Sequence, residues 1–367
     1  MKKYDYKQNA YYLIYLIRCV LHNKIPTREK LDKIDLEQLF YVASAHTLSA
    51  VVAYALESAG IYDKAFSEAK NKAIRKNILL DVERERVFAE FEKAGIWYMP
   101  LKGIILKDYY PRIGMRQMAD NDFLIDKKRQ SDIKDIMTFC GFENKQYNIS
   151  KHDVYFKEPV SNFQMHVSLF DANPNDPLYN YFKDIDKRLI TKDSSRFARC
   201  FTNEDFYIYI KAHEYKHYSS SGTGLRSLVD TYVYIKKFGD VLDWDYLTAE
   251  FTKIGINDYE IKSRLLAMDL FNGKMLNDDE KELLNYYIFS GTYGKIENGV
   301  KNSVLKNSNS KLKYILSRMI LPMDAINKSY PLFYKYRILL PFLPIYRLVR
   351  NRNLKRIKTE IITLMKF

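Results

Sequence analysis

Asp120 and Asp122 stand two residues apart in "MRQMADNDFLID" (115–126), at the mouth of a short apolar run. On a β-strand, residues i and i+2 point to the same side, with Cα atoms roughly 6.5–7 Å apart. Two carboxylates so placed can reach one divalent cation or bracket two. Hard oxygen donors of this kind suit Mg²⁺ (or Mn²⁺), which keeps waters and is completed by substrate phosphates. A lone D-x-D is equally at home in a polar loop, so the pair has to be weighed with its surroundings.

Upstream, the apolar "IWYMPL" (96–101) runs into Lys102-Gly103 and then the helical "IILKDYY", which Pro111 ends. A glycine at a strand-to-helix turn lets a phosphate approach the helix N-terminus, where free N–H groups and the dipole favour anions. A phosphate-holding turn on one strand end, beside a metal-holding carboxylate pair on the next, is a layout for phosphoryl transfer. Arg116 sits in the loop between them.

These residues need a sheet, and the patterning supplies one. Residues 6–24, 35–59 and 64–94 read as helices, with Gly60 and Gly95 as C-caps. The texture then changes to strand candidates: "IWYMPL", "DNDFLID", "DVYFKE" and "NFQMHVSLF", with "KRQSDIKDIMTFCGF" as an amphipathic helix. The order β-α-β-α-β-β indicates a mixed α/β unit over about residues 95–170. From residue 203 the chain returns to helix. We therefore expect an α+β fold, a small mixed sheet embedded between helical segments. Four parts follow: an N-terminal helical segment (1–94), an α/β core (95–200), a helical domain (201–300) and a basic, aromatic C-terminal segment (301–367).

Charge is uneven along the chain. Residues 301–367 hold fifteen bases and two acids, Asp324 and Glu360, a net +13 of the chain's +14. The first 300 residues are close to neutral, so the body is not a generic polyanion binder. The C-terminal segment, in which bases alternate with aromatics and leucines, suits a packed terminal helix with a solvated face. It also suits an anionic partner, either nucleic acid or a membrane surface. Three cysteines without C-x-x-C spacing point away from a disulfide scaffold or structural zinc and toward a reducing cytoplasm. No stretch of about 20 apolar residues is available to span a membrane.

Two helical patterns compete for attention. "HEYKH" (His213–His217) fits H-E-x-x-H, with Glu214 as the general base of a zinc hydrolase. It lacks the further histidine of the extended motif, and a packing or substrate-facing His213 is the better reading. Arg226 and Asp230, at i and i+4, suggest a helix-surface ion pair, with a place for Arg226 in the cleft as the sharper option. His22, His46 and His152 read as structural or surface residues.

Taken together, "MPLKGIILKDYYPRIGMRQMADNDFLID" resembles the core of a little-characterised bacterial nucleotidyltransferase family within the DNA polymerase beta-like nucleotidyltransferase superfamily. "NFQMHVSLF" falls at its acidic-x-His strand, and "TNEDFYIYIKAHEYKHY" and "LRSLVDTYVYI" at its helical segments, so the likeness spans about residues 30–245. It implies a minimal nucleotidyltransferase palm, two-metal chemistry, and transfer of a nucleoside monophosphate from an NTP. By position it makes Asp120 and Asp122 the metal ligands and Lys102 and Gly103 the triphosphate turn, with Arg116 beside them. Gln164 stands where the superfamily has its third acid, two residues before His166. An amide cannot take a proton from an acceptor hydroxyl. A catalytically impaired pseudo-enzyme that binds nucleotide or RNA is therefore the alternative, with Glu158 as a conceivable substitute base. Accessory roles are open to Gln164, His166, His213 and Arg226.

Overall fold

Aspartate caps and apolar stripes set the N-terminal helices. In the computed structural model, which describes residues 5–193, 195–306, 310–321, 323–350 and 354–366, α1 (Tyr6–Leu21) starts where the Asp5 carboxylate accepts from the Gln8 N–H. The short α2 (Arg28–Leu31), α3 (Leu36–Ala45) and α4 (Ser49–Ser58) follow. The single helix expected over 35–59 is thus two. Thr47 takes a left-handed φ of 55°, and Leu48 N–H turns back to the Ala43 carbonyl at 2.9 Å, a helix-ending pattern. α5 (Lys64–Ala94) runs 31 residues from its Asp63 cap to the left-handed Gly95.

The sheet comes next. β1 (Tyr98–Pro100), α6 (Lys102–Leu106), β2 (Asn121–Ile125), α7 (Gln130–Phe139), β3 (Glu143–Gln146), β4 (His152–Lys157) and β5 (Ser161–His166) follow in order. Among the described residues, the five strands form one mixed sheet, β1-β2-β5-β4-β3. β2 and β5 are parallel, with Asp122 opposite Gln164; the other pairs are antiparallel. The α+β class and the mixed sheet expected from the sequence are what the chain adopts. The edge strand β3 was not among the expectations, because "ENKQ" is wholly polar and carries no apolar alternation.

Alternation along the strands decides what faces the site. Phe123 and Ile125 of β2, with Phe163 and Met165 of β5, turn to one face and bury against Leu80, Val87 and Phe91 of α5 and Ile133 and Met137 of α7. Asp122, Gln164 and His166 therefore turn to the other face. There Leu124 packs into a second core, with residues of α9 (Asn203–Tyr218), once past α8 (Pro177–Phe182), β6 (Ile190–Thr191) and β7 (Arg199–Cys200). α10 (Leu225–Phe238), α11 (Trp244–Ile254), α12 (Asn257–Asn272) and α13 (Asp278–Ser290) complete the helical part.

By contact, the chain gathers into two compact units, Met1–Tyr215 with Leu225–Ile288, and Lys216–Gly224 with Phe289–Phe367. The second unit holds α14 (Ile296–Lys306), α15 (Lys311–Met319), α16 (Met323–Ser329), α17 (Pro331–Lys335), α18 (Leu343–Arg350) and α19 (Leu354–Lys366). Its small core gathers Val300, Val304 and Tyr314.

Candidate active site

β1 ends against β2, and that junction builds the site. Leu101 N–H donates to the Asp122 carbonyl at 2.9 Å, so Lys102, the next residue, starts α6 level with the aspartate pair. The residue between the aspartates points the opposite way. Asn121 is fully buried, and its amide donates to the Leu80 carbonyl of α5 at 2.9 Å. β2 is thereby tied to the long helix while Asp120 and Asp122 project into the cleft.

Each aspartate is held through one oxygen. Gln164 Nε2 donates to Asp120 Oδ2 at 2.6 Å, and His166 Nε2 lies 3.1 Å from Asp122 Oδ1. Among the described residues, the hydrogen bonds seen for these carboxylates involve Asp120 Oδ2 and Asp122 Oδ1. Burial and then the charge of Asp122 push the Asp120 carboxyl up to about 6, against the pull of Lys102, Lys76 and Arg226. Burial acts the same way on Asp122. There the His166 hydrogen bond and charge, followed by the Lys102 charge, outweigh it and bring the net shift downward. The two carboxyls are thus split, one eased by its donors and one left under repulsion.

Lys102 faces them. Burial brings its ammonium down to about 8, with the Asp122 charge opposing and Arg116 adding to the fall. It is still mostly protonated at neutral pH. Its Nζ reaches the His213 ring, 3.1 Å from Nδ1, and the His213 ring stands edge-on to buried Tyr209. His213 is therefore at the cleft. The helix behind Lys102 is only five residues long, so the ammonium rather than a helix dipole carries the attraction for anions.

Arg116 and Gly103 have structural duties. Arg116 is buried, and its guanidinium grips Asp230 with both prongs, Nε to Oδ1 at 2.8 Å and Nη2 to Oδ2 at 3.0 Å. Tyr110 Oη donates to the same carboxylate at 2.7 Å. Arg116 Nη1 faces Met118 Sδ at 3.4 Å, and the guanidinium as a whole clamps the β1–β2 connection to α10. Arg226 Nη1 lies 3.5 Å from the Gln117 carbonyl. A Cβ added at Gly103 would meet Arg116 Nη1 and Met118 Cε, each at 3.0 Å. The glycine makes room for the clamp and for Met118.

Arg226 contributes its charge to the Lys102 and Asp120 environment. Lys76 of α5 does the same for Asp120. Lys76 carried no sequence signal beyond its place on the polar side of an amphipathic helix. His152, read as isolated, lies opposite His166 in the β4–β5 register, ring centroids 4.9 Å apart. Glu158 sits exposed in the β4–β5 turn, four residues along β4 from the Val154–Gln164 pair. That is roughly 13 Å at strand spacing, so it cannot stand in for the missing acid.

The H-E-x-x-H residues are differently employed. Glu214 is buried and accepts from Lys211 Nζ at 2.5 Å and Tyr287 Oη at 2.6 Å. It is a core ion pair rather than a base facing water. His22 and His46 bond backbone groups, the Phe271 carbonyl and the Leu225 N–H.

A sequence model of the family described as "Uncharacterised nucleotidyltransferase" matches residues 32–272, about two thirds of the chain and every residue of the cleft. The chain belongs to that family. No curated protein and no solved structure matches it. As a nucleotidyltransferase it is a transferase with a nucleotide substrate, and the matched span stops short of the basic segment.

In this nucleotidyltransferase His166 is a positioning residue for Asp122. Were Asp122 to ligate a divalent cation, His166→Ala would be expected to weaken Mn²⁺ binding about 10–100-fold, the usual effect of removing a partner that orients a ligand. Spin-resonance titration of free Mn²⁺ reads it, and His166→Gln, which keeps a donor, should restore part of it.

Proposed function

We propose that this chain is a divalent-cation-dependent nucleotidyltransferase that moves a nucleoside monophosphate from an NTP to an acceptor hydroxyl or phosphate. The observation that carries this reading is the pair Asp120 and Asp122, each anchored through one oxygen, opposite the Lys102 ammonium.

The donor set fits Mg²⁺. Two partly buried carboxylates repel each other, which adds to burial in pushing the Asp120 carboxyl up, and a hard divalent cation relieves that repulsion. Among the described residues, no group of three or more His, Cys, Asp or Glu is placed to hold a metal ion. The remaining ligands would come from water and substrate phosphates, the habit of Mg²⁺. When bound, such an ion neutralises charge developing on the transferring phosphoryl group. Asp120 and Asp122 would hold such an ion, and Lys102, with Arg226 and Lys76 nearby, would supply positive charge to the triphosphate. The palm of the polymerase beta-like superfamily is the architecture this reading implies.

Incubation with labelled NTPs and Mg²⁺, with mapping of any transferred nucleotide, tests the reading. NTP binding without transfer to any acceptor would sink it in favour of an impaired, nucleotide-binding member of the same fold.

Gln164 is the observation that favours this second reading, and it can be tested directly. Gln164→Glu removes the donor to Asp120 and adds a third carboxylate. Without metal, the variant is expected to melt below the parent, because like charges are crowded together. With Mg²⁺ it should gain more, its affinity rising at least about tenfold with the added ligand charge. A metal-free melting point equal to the parent's, or no Mg²⁺-dependent gain, would remove Gln164 from the site.

A further inference from the structure

The second unit shows a surface that its own core does not account for. Between Asp324 and Glu360 lie 35 residues with nine bases and no acid. Glu360 is itself engaged by Arg318 at 3.1 Å. Within this stretch Leu332 is 66 %, Ile338 84 %, Phe342 60 % and Ile345 61 % exposed. Lys335 and Arg337 are exposed among them.

This is an ordered piece of structure. α17, the 3-10 turn Arg337–Phe342 and α18 follow one another directly. Leu343 is 2 % exposed, which anchors the segment, and the Phe333 and Tyr346 rings pack at 4.9 Å. The fold therefore holds the aliphatic side chains outward. Four large apolar side chains held out to solvent within one short folded segment mark a surface that something else covers.

We propose that residues 331–347 dock this protein on an anionic lipid membrane. The apolar side chains would enter the boundary between headgroups and acyl chains, and the bases would meet the lipid phosphates and carboxylates. The composition separates this partner from the other polyanion. Nucleic acid rewards bases and stacking aromatics but gains nothing from Leu332, Ile338 and Ile345. A second copy of the chain would bring its own exposed Lys335 and Arg337 against these same bases. Pro331, Pro341 and Pro344 keep the pieces short, which suits lying in an interface, and no described helix is long and apolar enough to cross one.

Co-sedimentation of the full chain with phosphatidylcholine vesicles, with and without phosphatidylserine, tests the proposal. Binding is expected with phosphatidylserine and not without it. The double variant Ile338→Asp/Phe342→Asp should reduce it at least about tenfold at an unchanged melting temperature, since both side chains already face solvent. Absence of sedimentation with anionic vesicles overturns the proposal, as does sedimentation indifferent to the double variant. Two further results would reassign the surface. One is binding of a single-stranded oligonucleotide that the double variant abolishes. The other is a dimer, in the absence of vesicles, that it dissociates.

Discussion

Asp122→Asn is expected to lower nucleotide transfer by about a thousandfold, the rate equivalent of the several kcal/mol a bound cation supplies to the transition state. The substitution is nearly isosteric. Its amide oxygen can still accept from His166, and the side chain faces the cleft rather than the Phe123–Phe163 core. What disappears is the charge. Mn²⁺ affinity measured by spin resonance should therefore fall at least about tenfold, with the unfolding midpoint in urea held or raised, because a repulsive partner of Asp120 is gone. Transfer and Mn²⁺ binding that both survive Asp122→Asn would place the chemistry elsewhere.

Asp230→Ala is expected to act on stability and not on the cleft directly. It strands the buried Arg116 guanidinium and removes the acceptor of Tyr110. Breaking a buried pair from one side costs about 3–5 kcal/mol, which urea unfolding reads as a lower midpoint. The paired apolar change Arg116→Met/Asp230→Leu should recover much of that loss, since the desolvation cost leaves together with the attraction. If Arg116 held phosphate instead, Asp230→Ala would free it, and NTP affinity would change with little loss of stability. The double variant separates the two readings.

How much of this was legible in the sequence follows from which residues depend on local pattern. The aspartate pair and Lys102-Gly103 were readable because strand alternation and a strand-to-helix break are short-range features. Their position beside Gln164 was readable only through the family resemblance, and the register bears it out. The clamp of Arg116 on Asp230 was invisible because its partner lies 114 residues away. The same holds for Asp230. The i, i+4 neighbour Arg226 was local and visible, and the tertiary partner Arg116 was neither. Lys76 was hidden by ordinariness, a lysine on the polar side of a helix whose rotation only packing determines. The break at Thr47 went unseen because no glycine or proline marks it.

The buried Asn121 has a consequence for pairing errors. Every side chain of β2 changes face if the strand slips by one residue against β5. A slip would drive Asp120 and Asp122 among Phe163, Met165 and Leu80, Val87 and Phe91 of α5, unpaired in an apolar layer, and would pull Asn121 away from the Leu80 carbonyl. The correct alignment is thus favoured twice, by the cost of burying two carboxylates and by the loss of one polar tether. A three-residue alternation of acid, amide and acid serves as an address. It admits one threading of the strand through the sheet, the one that leaves both acids in the cleft.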